Sequence, residues 1–189
     1  MKNRLYEILE QHRQETQQSI YVILDGVKYP MLWSDLEEAV LHYDMLFRET
    51  LLQQHLEKVA PFFVALDLTH DVTQEQSRAL LECYGEGGTL FLASEEDFST
   101  VLEAMRELFY VYSSDGEKGY MRFYDPKIFR HYISQESKNI TYALFSEATA
   151  YWCEDPDNPS VLHHYSKEHD FTYLKKKIEL TPKEPQNDL

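Results

Sequence analysis

Asp67, His70 and Asp71 follow directly on the apolar run FFVAL at 62–66. Two carboxylates and an imidazole at this spacing are a grouping whose types suit chemistry. Such a set can ligate a divalent metal, or divide acid and base roles in a hydrolysis near neutral pH. Its place strengthens the case, because ligands of open α/β sheets bind beyond strand ends. The competing reading is structural: Asp71 caps the next helix and His70 is solvated, as in any short polar loop after a strand.

Other reactive residues are more scattered. Gly85-Glu86-Gly87-Gly88 is glycine-rich but precedes a strand, whereas a phosphate cradle must open a helix so that its amides meet the anion. It reads as a helix stop. His163 and His164 are neighbours in an expected strand, so they point to opposite faces and cannot easily share an ion. His163 with His169 lacks a supporting ligand pattern. Cys83 falls on an expected helix and Cys153 ends an expected strand, and each fits a small buried residue better than a nucleophile. No GxSxG, HExxH, Walker or GxGxxG pattern occurs. The expectation is therefore a non-enzyme with no catalytic residue, cofactor or metal ligand. A small metal-dependent or acid/base hydrolase built on Asp67, His70 and Asp71 is the alternative.

The elements that must position these residues follow from hydrophobic spacing. Leu5, Ile8, Leu9 and His12 mark a helix over 4–16. IYVIL at 20–24 is a buried strand ended by Asp25-Gly26. A helix over 33–42 with Ser34 as N-cap, a strand at 44–48 and a helix over 49–59 precede FFVAL. Thr73 and Gln76 suggest a capping box for a helix over 73–84. TLFLA at 89–93 is the next strand. The helix over 95–109 is the clearest, with Ser94 as cap and a stripe of Phe98, Val101, Leu102, Met105, Leu108 and Phe109. Beyond it the pattern changes to hairpins: 109–113 with 118–124, then 148–153 with 161–165 across EDPDNP. Short helices are expected at 126–133 and 139–146. The fold class is α/β: a mixed sheet flanked by helices, with a small C-terminal helical and hairpin lobe. Residues 1–125 form the main lobe, 126–180 the small lobe of the same domain, and 181–189 a disordered tail.

Composition narrows the partners. A net charge of -15 over 189 residues repels phosphate backbones and anionic membranes, so neither nucleic acid nor membrane is an expected partner. Two lone cysteines and a polar N-terminus without a signal-peptide core point to a reduced, cytoplasmic setting. No stretch approaches the roughly 18 apolar residues of a membrane span. Fourteen Tyr and ten Phe suit strands and also half-wet interfaces.

Three ordered stretches carry a resemblance: YVILDG at 21–26, YDMLFRETLLQQHLEKVAPFFVAL at 43–66, and GTLFLASEEDFSTVLEAMRELFYVYSSDGEKGYMRFYDPKIFRHYI at 88–133. Arg122, Phe123, Tyr124, Asp125 and Pro126 resemble the RFYDP signature of the type VI secretion effector chaperone and adaptor family, long catalogued as a domain of unknown function. The resemblance implies a cytoplasmic α/β adaptor that binds a secreted toxic effector and helps load it onto the valine-glycine repeat spike protein. Read from the residues, RFYDP is a structural motif. Arg122 and Tyr124 share one strand face and Phe123 the other. Asp125 caps the helix opened by Pro126, and an Arg122–Asp125 ion pair pins the junction.

Partner contacts are expected on the C-terminal lobe, at Phe129, Tyr132, Tyr151 and Trp152. Tyr151 and Trp152 are strand neighbours, so one of them faces away from the core. The competing reading makes all four a mini-core.

Overall fold

The computed structural model describes residues 1–29, 31–47, 59–69, 71–135, 137–168 and 172–180. The backbone runs through α1 (Lys2–Thr16), β1 (Ser19–Asp25), α2 (Leu32–Glu38), β2 (Tyr43–Met45) and β3 (Pro61–Leu66). It continues through α3 (Asp71–Leu80), a 3-10 turn (Leu81–Cys83), β4 (Thr89–Ser94) and α4 (Phe98–Phe109). A hairpin of β5 (Tyr110–Tyr112) and β6 (Lys118–Tyr120) leads to α5 (Pro126–Ile133) and α6 (Lys138–Leu144). Strands β7 (Ala150–Asp155), β8 (Asn158–Lys167) and β9 (Tyr173–Glu179) complete the order.

Seven strands form one sheet in the order β2-β3-β1-β4-β7-β8-β9, and each pair is antiparallel. The α/β class with helices on the sheet is as the sequence predicts. The strands alternate faces with period two, and both faces are covered. Ile20, Val22 and Leu24 of β1 pack with Phe62, Val64 and Trp152 beneath α1, α2 and α3. Tyr21 and Ile23 pack with Phe63, Leu92 and Tyr151 beneath α4, α5 and α6. A strand buried on both sides reads as a continuous apolar run, which is why IYVIL, FFVAL and TLFLA carry no alternation. The C-terminal helices and strands, expected as a small lobe of the same domain, join the rest through the β4–β7 pairing.

Several local readings change. Helix α2 starts at Leu32 after Met31, without a side-chain cap, and Ser34 lies inside it. Thr73 also lies inside a helix, α3, and its hydroxyl donates to Asp67 Oδ2 at 2.9 Å. The cap of α4 is Asp97, whose side chain accepts from the Thr100 N–H, while Ser94 ends β4 and donates to the Glu147 carbonyl. Strand β9 has no counterpart in the sequence reading, because LKKK lacks an apolar run. The helix predicted at 49–59 lies outside the described residues up to position 58, as do residue 48 and the tail 181–189.

Candidate functional site

The end of β1 brings the three resembling stretches together. Asp25 closes the strand, and its N–H donates to the Gly88 carbonyl at 3.0 Å. The Gly26 N–H donates to the Ala60 carbonyl, also at 3.0 Å. A Cβ on residue 26 would stand 2.4 Å from that oxygen, so only glycine fits this close approach. The Asp25 carbonyl accepts from the N–H groups of Lys28 and Tyr29, which turns the chain toward α2.

The Asp25 side chain is 1 % exposed and is paired at both oxygens. Oδ1 accepts from the Val27 N–H at 3.0 Å, and Oδ2 accepts from Arg122 Nη2 at 2.5 Å. Arg122 is 45 % exposed, so the pair has one dry end and one wet end. Burial, the largest single influence, would lower the Arg122 pKa, but Asp25, Tyr124 and Asp125 together outweigh it and hold the guanidinium above its ordinary value. The Arg122–Asp125 distance is longer, 3.8 Å, so the main ionic partner of Arg122 lies 97 residues away in β1. Arg122 also lies 5.9 Å from the Tyr124 ring centre.

The expected strand 118–124 ends at Tyr120, and the chain turns at Phe123-Tyr124, with the Asp125 N–H donating to the Arg122 carbonyl. Phe123 and Tyr124 are consequently both buried, instead of facing opposite ways from a strand. Burial pushes the Tyr124 hydroxyl well above its ordinary pKa, so it stays neutral. Asp125 caps α5 as predicted: its Oδ1 accepts from Lys127 N at 2.9 Å and Ile128 N at 3.4 Å, and Pro126 occupies the first turn.

Beside this junction lies a cavity of about 260 Å³ walled by Lys28, Gly85–Gly87, Asp125–Lys127, Glu154–Pro156 and Pro159. Gly85 and Gly87 have φ of 102° and 78°, in the left-handed region that glycine tolerates. The glycine run follows the end of the 3-10 turn, as the helix-stop reading expects. The Thr89 hydroxyl donates to the buried Glu154 carboxylate at 3.4 Å, and the backbone N–H groups of Gly85, Gly87 and Thr89 favour its charged form. Burial pushes the Glu154 pKa up, and those donors offset it only in part.

Of the predicted chemical set Asp67, His70 and Asp71, the side chain that the structure describes is Asp67. Asp67 Oδ1 accepts from Thr69 N at 2.9 Å and Thr69 Oγ1 at 2.6 Å, and Oδ2 takes the Thr73 hydroxyl. This carboxylate ties its loop to the start of α3. His70 and the Asp71 side chain lie outside the described residues, as does His169. His163 and His164 do face opposite ways. His163 Nε2 meets Asp155 Oδ2 at 2.7 Å, beside Arg130 at 3.2 Å. His164 stacks on Trp152 at 4.8 Å. Burial lowers the His163 pKa despite its Asp155 bond, and burial together with His12 and Lys176 lowers that of His164 to about 4. Burial pushes the Cys83 thiol up to about 11 and raises that of Cys153 as well, which disfavours the nucleophilic thiolate in both. Among the described residues no group of three or more His, Cys, Asp or Glu could hold a metal ion. No helix among them is long and apolar enough to cross a membrane.

The expected partner-binding rings are a correction. Phe129, Tyr151 and Trp152 are at most 1 % exposed, and Tyr132 is half-buried against the same core as Phe129. Phe129 packs on Tyr151 at 5.1 Å, the Tyr151 hydroxyl donates to the Leu144 carbonyl, and His12 meets the Trp152 ring edge-on at 4.8 Å. Alternation along β7 predicts one open face. Both are covered, so neighbouring rings are buried on opposite sides.

The sequence reading missed an open groove of about 550 Å³ between α2 and α3. Its apolar residues sit in weakly patterned segments, where spacing alone does not separate lining from core. A family model described as a domain of unknown function, DUF4123, matches residues 20–139, from β1 into α6. Neither a curated protein nor a solved structure matches the chain.

Proposed function

The chain belongs to the DUF4123 family, and on that premise we propose that it is a cytoplasmic adaptor that binds a type VI secretion effector and helps load it onto the spike protein. The observation that carries this reading is the convergence at the end of β1. Asp25, Gly26, Ala60, Gly88 and Arg122 come from the three stretches that resemble the adaptor family, and they form one hydrogen-bonded junction. The family-like residues are thus used to hold a scaffold. An adaptor needs a rigid frame that presents a surface, and it needs no reacting group.

The test is co-expression with the product of a neighbouring toxin gene and with the spike protein. Co-purification of both supports the proposal; capture of neither overturns it. The competing hydrolase has a direct control. Asp67→Ala, His70→Ala and Asp71→Ala combined are expected to leave effector delivery intact. A folded triple variant that binds effector yet fails to deliver it revives the enzyme.

A further inference from the structure

We infer that the groove between α2 and α3 is the docking site for an amphipathic helix of the partner, one that carries Lys or Arg beside its apolar ridge. The inference rests on the adaptor reading and names the chemistry of what that adaptor holds.

The groove is built in advance. Its floor is Leu32 and Leu36 of α2, Leu41 beyond it, and Leu80 of α3. Two hydrogen bonds brace it: the Gln76 side-chain oxygen accepts from the Val40 N–H at 3.0 Å, and the Tyr29 hydroxyl donates to the Cys83 carbonyl at 2.6 Å. Met31, which lines the groove, is 67 % exposed, and Val40, between the lining residues Ala39 and Leu41, is 73 % exposed. An exposed apolar patch rimmed by polar groups marks an interaction site.

Charge selects the occupant. Asp35 and Glu38 line the groove, with Lys28 as the cation among its lining residues. Helix α2 contains Asp35, Glu37 and Glu38 and no basic residue, and its last turn holds none. The side chains of these three carboxylates form no ion pair with a described residue. Glu37 and Glu38 stand at the negative end of the helix dipole, which disfavours them until a cation arrives. A second copy of this chain brings the same acidic excess, so the charge that attracts a cationic partner opposes self-docking. The walls are helices that present side chains rather than a free sheet edge. An extended peptide would leave its backbone groups unpaired there, whereas a helix satisfies its own.

The test uses three labelled synthetic peptides, read by fluorescence anisotropy on the full chain. One is a Leu/Lys amphipathic helix, one its Leu/Glu counterpart, and one a scrambled Leu/Lys peptide without an apolar face. The amphipathic cationic peptide is expected to bind and the other two to fail. Ala79→Trp, which fills the groove from an exposed position, is expected to weaken binding by about tenfold or more with an unchanged melting temperature. Asp35→Lys with Glu38→Lys is expected to reverse the preference toward the Leu/Glu peptide. Equal binding of the scrambled peptide reduces the effect to bulk charge and overturns the inference, as does indifference to Ala79→Trp. Toxin capture separates the two readings. If wild type and Ala79→Trp capture the toxin equally, the groove inference falls and the adaptor stands; if wild type captures none, the adaptor reading falls first.

Discussion

The end of β1 and the α2–α3 groove both contain carboxylates, and the two regions treat them in opposite ways. At β1, Asp25 is buried and both of its oxygens are paired within the chain, to Val27 and Arg122. In the groove, Asp35 and Glu38 are exposed at the rim of an apolar cleft without an ionic partner among the described residues. A buried charge left unpaired costs several kcal/mol, so a fold must satisfy Asp25 itself. A rim charge costs little, so it can be left for another molecule. The first region holds the frame, and the second is free to bind. Changes at the first should therefore act on stability, and changes at the second on association.

The largest effect is expected from Gly26→Ala. The added methyl meets the Ala60 carbonyl oxygen at 2.4 Å, and that oxygen already accepts the Gly26 N–H. Backbone must move, at a cost of about 3 kcal/mol. Urea unfolding measures it. An unchanged midpoint would break the comparison, because the close packing at β1 would then not be what holds the frame.

Arg122→Ala comes next, at about 2 kcal/mol, since it leaves the buried Asp25 carboxylate with the Val27 N–H alone. The wet end of the pair keeps the figure below that of a fully buried ion pair. Asp125→Ala should cost about 1 kcal/mol, the worth of a helix cap, because its 3.8 Å approach to Arg122 is secondary. Thermal melts of the two variants rank them. The reverse order would make Asp125, and not Asp25, the main partner of Arg122, as the sequence alone suggested.

That reversal shows what the residues disclose in advance. Helix α4 was legible because its stripe repeats at helical spacing, and the Asp125 cap was legible because capping is local. The three apolar runs announce buried strands. None of this reveals that β7 pairs with β4, which buries Tyr151 and Trp152 on opposite faces, since pairing between distant strands leaves no mark in either segment. The Arg122–Asp25 contact is hidden for the same reason: a local reading finds the carboxylate three residues away and misses the closer one 97 residues away. The groove was harder still, because an exposed Met31 and a buried Leu32 look alike until the helices are placed.

Glu38→Lys should produce the smallest change in stability, and its sign makes it the sharpest test of the comparison. Glu38 is the last residue of α2, at the negative end of the helix dipole, and it forms no ion pair with a described residue. A lysine there replaces an unfavourable interaction with a favourable one, and it also reduces the chain's acidic excess. Stability should rise slightly, by about 0.3 kcal/mol, as α2 is short and the site exposed. Binding of the cationic amphipathic peptide should fall at the same time, and the deficit should shrink as added salt screens the rim charges. Urea unfolding and anisotropy titration on one preparation read both quantities. A carboxylate that served the frame would give the opposite stability result, with a loss on replacement. If Glu38→Lys destabilises the protein and leaves peptide binding untouched, the groove rim belongs to the frame as Asp25 does, and the division between the two regions fails.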